Sequence, residues 1–146
     1  MFKKMLLLFP MLLVIFAANA QFRKIPAAVT DAFKAKYEKA SGVSWKDKLS
    51  AFQAEFKLGE KDLKATFSTK GEWLKTETKY DYKSVPSDVK DGFKKSKYAD
   101  LDVLNVTRVE EKDKTEYKIA VKKSEYNKKY LVFNKDGQLL SDNGSL

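Results

Sequence analysis

Beyond residue 20 this 146-residue chain contains no cysteine, no histidine and no methionine, its three methionines being Met1, Met5 and Met11. Without thiols there is no disulfide and no cysteine nucleophile. Without imidazole the usual general base near neutral pH is missing, and so are the common zinc ligands. Haem loses its ordinary axial donors for the same reason, with tyrosine the sole candidate left. Proline is scarce, at positions 10, 26 and 86, and no long apolar run follows residue 20. The chain must therefore fold on burial alone, and the inventory points away from catalysis. Asp100 and Asp102 form the nearest carboxylate pair, but their spacing suits opposite faces of a strand or a loop. Glu110-Glu111-Lys112-Asp113 reads as a solvated hairpin tip. No cofactor and no metal are expected. Asn134-Lys135-Asp136-Gly137 is a plain turn, since a calcium loop there would need an acidic ligand at Val132 and flanking helices.

What is present begins with a leader. Lys3 and Lys4 precede the apolar stretch Met5 to Ala17, which closes in Ala18-Asn19-Ala20. That is the pattern of a cleavable signal peptide over 1–20, cut after Ala20, and it predicts a periplasmic or secreted protein with no stable membrane insertion after cleavage. Removing two lysines changes the formal charge from +9 to 9 − 2 = +7.

After the leader the hydrophobic period changes twice. Ile25, Val29, Ala32, Phe33, Tyr37 and Ala40 recur at helical spacing behind Pro26, and Ser41-Gly42 ends the run. A short run, Val43 to Lys48, carries Trp45. Phe52, Ala54, Phe56 and Leu58 then alternate with polar residues, as do Leu63, Ala65 and Phe67 beyond the Gly59-Glu60 turn. Phe67-Ser68-Thr69-Lys70-Gly71-Glu72-Trp73-Leu74 closes a hairpin, and Glu72 to Tyr80 forms a last strand.

The same order returns. Val85 to Phe93 matches Ile25 to Phe33 at a shift of 60, Glu116 to Ile119 matches Glu55 to Leu58 at 61, and Phe133 to Leu140 matches Phe67 to Leu74 at 66. The extra residues fall near Lys123 to Lys128, where a surface loop absorbs insertion at small entropic cost. The expected fold is α+β: a tandem repeat of one helix packed on a four-stranded antiparallel meander, with units at 21–82 and 83–146. Phe33, Phe52, Phe56 and Phe67 would fill one core, and Val89, Phe93, Tyr117, Ile119 and Phe133 the other.

Pro-x-x-Val-x-x-x-Phe at Pro26 to Phe33 and Pro86 to Phe93, Trp45, and the two Phe-x-x-x-Gly-x-x-Leu turns resemble the β-lactamase-inhibitor-like, PepSY-like family of small exported proteins, over nearly all of residues 24–142. The resemblance implies a paired helix-and-sheet fold like that of the β-lactamase inhibitory protein, and export.

Two surfaces are candidates for binding. The polar positions of the alternating strands, Gln53, Glu55, Lys57, Lys64, Thr66, Ser68 and Lys118, would share the sheet face away from the helices and suit a standard-sized protein interface. Trp73, adjacent to Leu74 and so pointing opposite to it, is either packed between the units or an exposed anchor. Lys94, Lys95 and Lys97, with Lys122, Lys123, Lys128 and Lys129, form two basic clusters that would attract acidic glycans or lipid headgroups. Nucleic acid is not expected as a partner of an exported chain without a recognisable nucleic-acid module. The expected function is an exported, monomeric, non-catalytic binding protein that inhibits or modulates a protein or peptide of the cell envelope. The alternative is a periplasmic sensor or scavenger of a small or acidic ligand through the lysines.

Overall fold

The computed structural model describes residues 23–144; the signal peptide expected over 1–20 lies outside them. Its elements are α1 (Ala27–Lys36), β1 (Ser41–Asp47), β2 (Ala51–Leu58), β3 (Lys61–Ser68), β4 (Trp73–Tyr80), a 3-10 turn (Tyr82–Ser84), α2 (Ser87–Lys95), β5 (Asp102–Glu111), β6 (Thr115–Ser124), β7 (Asn127–Asn134) and β8 (Leu139–Gly144).

All eight strands join in sequence order in one antiparallel sheet. This corrects the expected fold class. The architecture is mostly β, with two helices of 10 and 9 residues, and no tandem repeat of separate helix-plus-four-strand units is evident. The physical reason is the ladder between β4 and β5, which runs unbroken from Lys75 opposite Glu111 to Tyr80 opposite Val106. Hydrogen bonding satisfies backbone groups that two separate sheets would leave open at their facing edges.

Each helix starts after a proline in extended conformation, Pro26 or Pro86, whose fixed φ suits entry into the first turn. Neither has a side-chain cap. Lysines in the last turn, Lys34 and Lys36 in α1 and Lys94 and Lys95 in α2, complement the negative end of the dipole. Val29 and Phe33, and likewise Val89 and Phe93, lie four residues apart and are buried as the single apolar stripe of each helix.

Under α1 the stripe meets Phe52, Ala54, Phe56, Leu63, Ala65 and Phe67; under α2 it meets Val106, Tyr117, Ile119, Val121, Leu131 and Phe133. Cross-strand partners point to the same face, and the register links Leu63 to Thr78, Thr78 to Arg108 and Arg108 to Tyr117. Both helices therefore cover one face of the sheet. Phe33 makes edge-on contacts with Trp45, Phe56 and Phe67 at centroid distances of 5.3, 5.0 and 6.2 Å. That geometry places ring edges on ring faces.

The two hairpins anticipated at Phe67–Leu74 and Phe133–Leu140 form and dock on the helix starts. Gly71 (φ +89°) and Gly137 (φ +79°) take left-handed conformations. A Cβ on Gly71 would lie 2.5 Å from the carbonyl oxygen of Ala28, and one on Gly137 would lie 2.7 Å from the carbonyl carbon of Asp88. Only glycine lets these turns approach so closely.

Candidate functional site

With both helices on one side, no element among the described residues covers the other side of the eight strands. The register arranges its residues in rows. Ser44, Glu55, Lys64, Glu77, Val109, Glu116 and Asn134 form one, running from β1 to β7. Beside it lie the pair Lys57 and Asp62 on β2 and β3, and the row Lys79, Thr107, Lys118, Val132 and Ser141, from β4 to β8. The proposed face residues Gln53, Glu55, Lys57, Lys64, Thr66 and Lys118 do share this side. A hollow of about 530 Å³ opens there, lined by Ser44, Glu55, Lys57, Lys64, Glu77 and Lys79 among others.

Charge on this face is organised by pairing. Glu55 Oε1 accepts from Lys46 Nζ at 2.9 Å and lies 3.1 Å from Lys64 Nζ, and the carboxyl is held below its ordinary range by Lys46 first and Lys64 second. Lys57 donates to Asp62 at 2.7 Å and depresses that carboxyl in the same way. Lys79 and Lys118 flank Thr107 in one row and have no salt-bridge partner among the described residues. Ionised, lysine-bound carboxylates are poor proton carriers at neutral pH, whereas a patterned field with unpaired cations suits recognition of a complementary surface.

Three proposed positions have other duties. Gln53 and Thr66 are buried against one another, with Gln53 Nε2 3.4 Å from Thr66 Oγ1, so neither presents much to solvent. Ser68 closes its turn, accepting at Oγ from the backbone N–H of Lys70 and of Glu72. Ser44, Lys46, Glu77, Lys79, Thr107 and Val109 were not singled out from sequence, although strict alternation along β4 and β5 would have placed Glu77, Lys79 and Val109.

Trp73 corrects another expectation. A register shift between Thr66 and Phe67 inserts Leu74 as an extra, exposed residue, so Trp73, opposite Phe67, faces the helix side. There Trp73 packs against the α1 core, donates from Nε1 to Thr76 Oγ1 at 2.8 Å, and carries Lys36 Nζ 4.1 Å above its ring. It is neither an exposed anchor nor a plug between separate units. Thr76 Oγ1 is also hydrogen-bonded to the Tyr37 hydroxyl, whose pKa burial raises above its ordinary value.

The lysines regroup as well. Lys97 and Lys129, assigned to different clusters, both lie over the ring of Tyr98, at 5.1 and 5.7 Å. Tyr98 donates to the carboxylate of Asp142, which also meets Lys97 at 3.4 Å. Lys122 and Lys128 are cross-strand partners near the β6–β7 turn, a like-charge pair that repels. Lys123 is exposed in the strand beside Lys122, and Lys94 and Lys95 stay in the last turn of α2.

A family model described as "Putative beta-lactamase-inhibitor-like, PepSY-like" matches residues 50–141, well over half of the chain and everything from β2 into β8. The chain belongs to that family.

Solved structures similar to this PepSY-like chain agree with the assignment. A DUF2874 family protein from Bacteroides ovatus is 28% identical with a TM-score of 0.79, the alignment covering 84% of this chain and 89% of that one. A BLIP-like protein from Bacteroides fragilis is 25% identical with a TM-score of 0.79, covering 85% and 89%. A structure from Bacteroides eggerthii, described as "putative periplasmic proteins", is 26% identical with a TM-score of 0.78, covering 84% and 90%. No curated protein matches the chain. Among the described residues of this PepSY-like chain no helix is long and apolar enough to cross a membrane.

Proposed function

We propose that this chain is an exported, non-catalytic binding protein that seats a folded protein of the cell envelope on the uncovered face of its sheet, inhibiting or modulating it. The observation that carries the reading is the uninterrupted, unroofed surface from β1 to β8, with the free cations Lys79 and Lys118 near its middle. Eight strands spaced at about 4.8 Å give a surface wide enough for a partner patch of about 800 Å² per side. The described periplasmic relative and the signal-like leader support an envelope location. The BLIP-like relative supports an inhibitory role.

Photo-crosslinking residues placed at Lys79 and Lys118 in producing cells test the reading. The expected result is one and the same protein captured from both positions, with its affinity for the purified chain lowered at least tenfold by Lys79→Glu with Lys118→Glu, at unchanged Tm. Different species at the two positions, or no species at either, would sink it.

A second reading rests on Lys97 and Lys129 converging on Tyr98. Two cations over one aromatic ring suit an anionic sugar. Calorimetry against a sulfated glycan would then show binding that falls as salt rises, whereas flat thermograms at low salt remove this reading.

A further inference from the structure

The helix-covered side of the sheet is not apolar throughout. Along the row Leu63, Thr78, Arg108, Tyr117, and along the adjoining row Ala65, Thr76, Glu110, Thr115, the residues turn polar at the two central strands, β4 and β5. Thr76 and Thr78 are buried. The α1 core draws mainly on the strands before this seam and the α2 core on those after it. Above the seam a hollow of about 360 Å³ remains, walled by Lys36 and Tyr37 at the end of α1, Lys61 of β3, and Trp73 and Tyr80 of β4. That volume is in the range of pockets that hold small molecules.

Arg108, on the floor, is the unusual member. Its Nη1 donates to the Tyr80 hydroxyl at 3.0 Å and its Nη2 donates to Glu110, but its Nε–H is buried and has no acceptor among the described residues. Buried donors are nearly always paired, because an unpaired one gives up its hydration for nothing. Packing alone would be served as well by an apolar side chain of similar volume, since a buried ion pair is commonly no more stabilising than its hydrophobic replacement. Two lysines add to the charge. Lys36 Nζ stands 4.1 Å above the Trp73 ring and Lys61 Nζ stands 5.4 Å from the centre of the Tyr80 ring. Neither has a carboxylate within salt-bridge distance among the described residues. Three cations against the single carboxylate of Glu110 leave the hollow with an excess of two positive charges.

We propose that this hollow binds a small organic acid bearing two carboxylates. The unpaired Nε–H of Arg108 is a ready donor to a carboxylate oxygen, and guanidinium and ammonium groups held at aromatic rings are the ordinary means of fixing such anions. The two lysines stand at opposite ends of β4, on its first residue Trp73 and its last residue Tyr80. Charges separated along a carbon chain suit that placement better than a compact dianion does, and the rings offer the chain apolar contact. The hollow lies on the opposite side of the sheet from the docking face, so it stands or falls independently of any protein partner.

Titration of the straight-chain dicarboxylates succinate, adipate and suberate into the purified chain tests the site. In a Trp45→Phe chain Trp73 is the only indole. Its emission should change saturably as a carboxylate draws the Lys36 ammonium from above the ring, and calorimetry on the unaltered chain should give the same Kd. Arg108→Met is expected to weaken binding about tenfold or more, the worth of one charge-assisted hydrogen bond. Lys61→Gln, at an exposed position, should weaken it likewise and keeps the test decisive if Arg108→Met does not fold. Lys135→Gln, in the β7–β8 turn, should bind as the wild type does. No saturable binding of any of the three acids up to the millimolar range would overturn the site. Equal weakening by Lys135→Gln would overturn it too, by reducing the effect to overall charge. Hexanoate or inorganic sulfate bound as tightly as adipate would overturn the two-carboxylate ligand.

Discussion

Gly92 of α2 and Gly137 of the β7–β8 turn meet backbone to backbone: a Cβ built on Gly92 would stand 2.7 Å from the carbonyl carbon of Gly137. The helix and the hairpin are locked by the absence of two side chains.

That contact reverses an ordinary expectation. Gly→Ala inside a helix stabilises by about 1 kcal/mol on propensity alone. At Gly92 the added methyl strikes a carbonyl that cannot rotate away, so Gly92→Ala is expected to lose about 2 kcal/mol or more. Gly137→Ala adds left-handed strain and should lose at least as much. Urea unfolding followed by circular dichroism measures both, and a stabilised Gly92→Ala would show that the close approach does not exist.

Thr76 is a second point of sensitivity. Its hydroxyl joins the Trp73 indole N–H and the Tyr37 hydroxyl in a part-buried position. Thr76→Val keeps the shape and removes the oxygen, leaving both partners short of a hydrogen bond at about 1–3 kcal/mol. Trp73 emission should also change as its N–H loses its acceptor, which tests the local contact independently of stability.

The β4–β5 ladder predicts one unfolding event. Tyr80 lies on β4 yet packs with Tyr117 in the core under α2, at 6.3 Å between ring centres. Phe33→Ala and Phe93→Ala, each about 3–5 kcal/mol destabilising, are expected to shift a single calorimetric transition whose van't Hoff and calorimetric enthalpies agree. Two separable transitions, each moved by its own variant alone, would contradict the ladder.

Acid should weaken the fold through its paired carboxylates. Asp47, held chiefly by the Arg23 hydrogen bonds, Glu55, Asp62 and Asp142 all have folded pKa values below the ordinary 3.8 for Asp and 4.5 for Glu. Below those ordinary values the unfolded chain binds protons first. Their contribution is therefore whole above about pH 5 and declines as pH falls through the ordinary carboxylate range toward the depressed folded values. Urea midpoints at pH 7 and pH 3 should differ by less in Asp47→Asn than in the wild type. All four groups are at least partly open to solvent and the effect shrinks in salt.

Much of this was legible because local rules govern it. Alternation at Phe52 to Leu58 and Leu63 to Phe67, and the glycines at 71 and 137, fix strand faces and turns within a few residues. The i, i+4 pairs Val29 with Phe33 and Val89 with Phe93 fix the buried helix stripe. The joining of β4 to β5 was not legible, because some twenty residues and a helix separate them and period-two patterning names a strand's faces, never its neighbour. Trp73 was misread for a related reason: a one-residue bulge reverses every facing beyond it. The open-face residues followed from parity, but the ion pairs that engage Glu55 and Asp62 depend on which strands adjoin. Leu49, the sole non-glycine described with positive φ, left no mark in the pattern, since such a leucine looks like any other until its backbone is seen.

The continuity of the sheet also bears on how this chain behaves when crowded. Two four-stranded sheets would expose four lateral borders to self-templating, whereas one sheet exposes two, the flanks at Ser41–Asp47 and Leu139–Gly144. The first is interrupted by a bulge between Ser41 and Ser44, and the second is six residues long. Short, kinked borders discourage fibre growth, so a chain without cysteine gains resistance to aggregation from its topology.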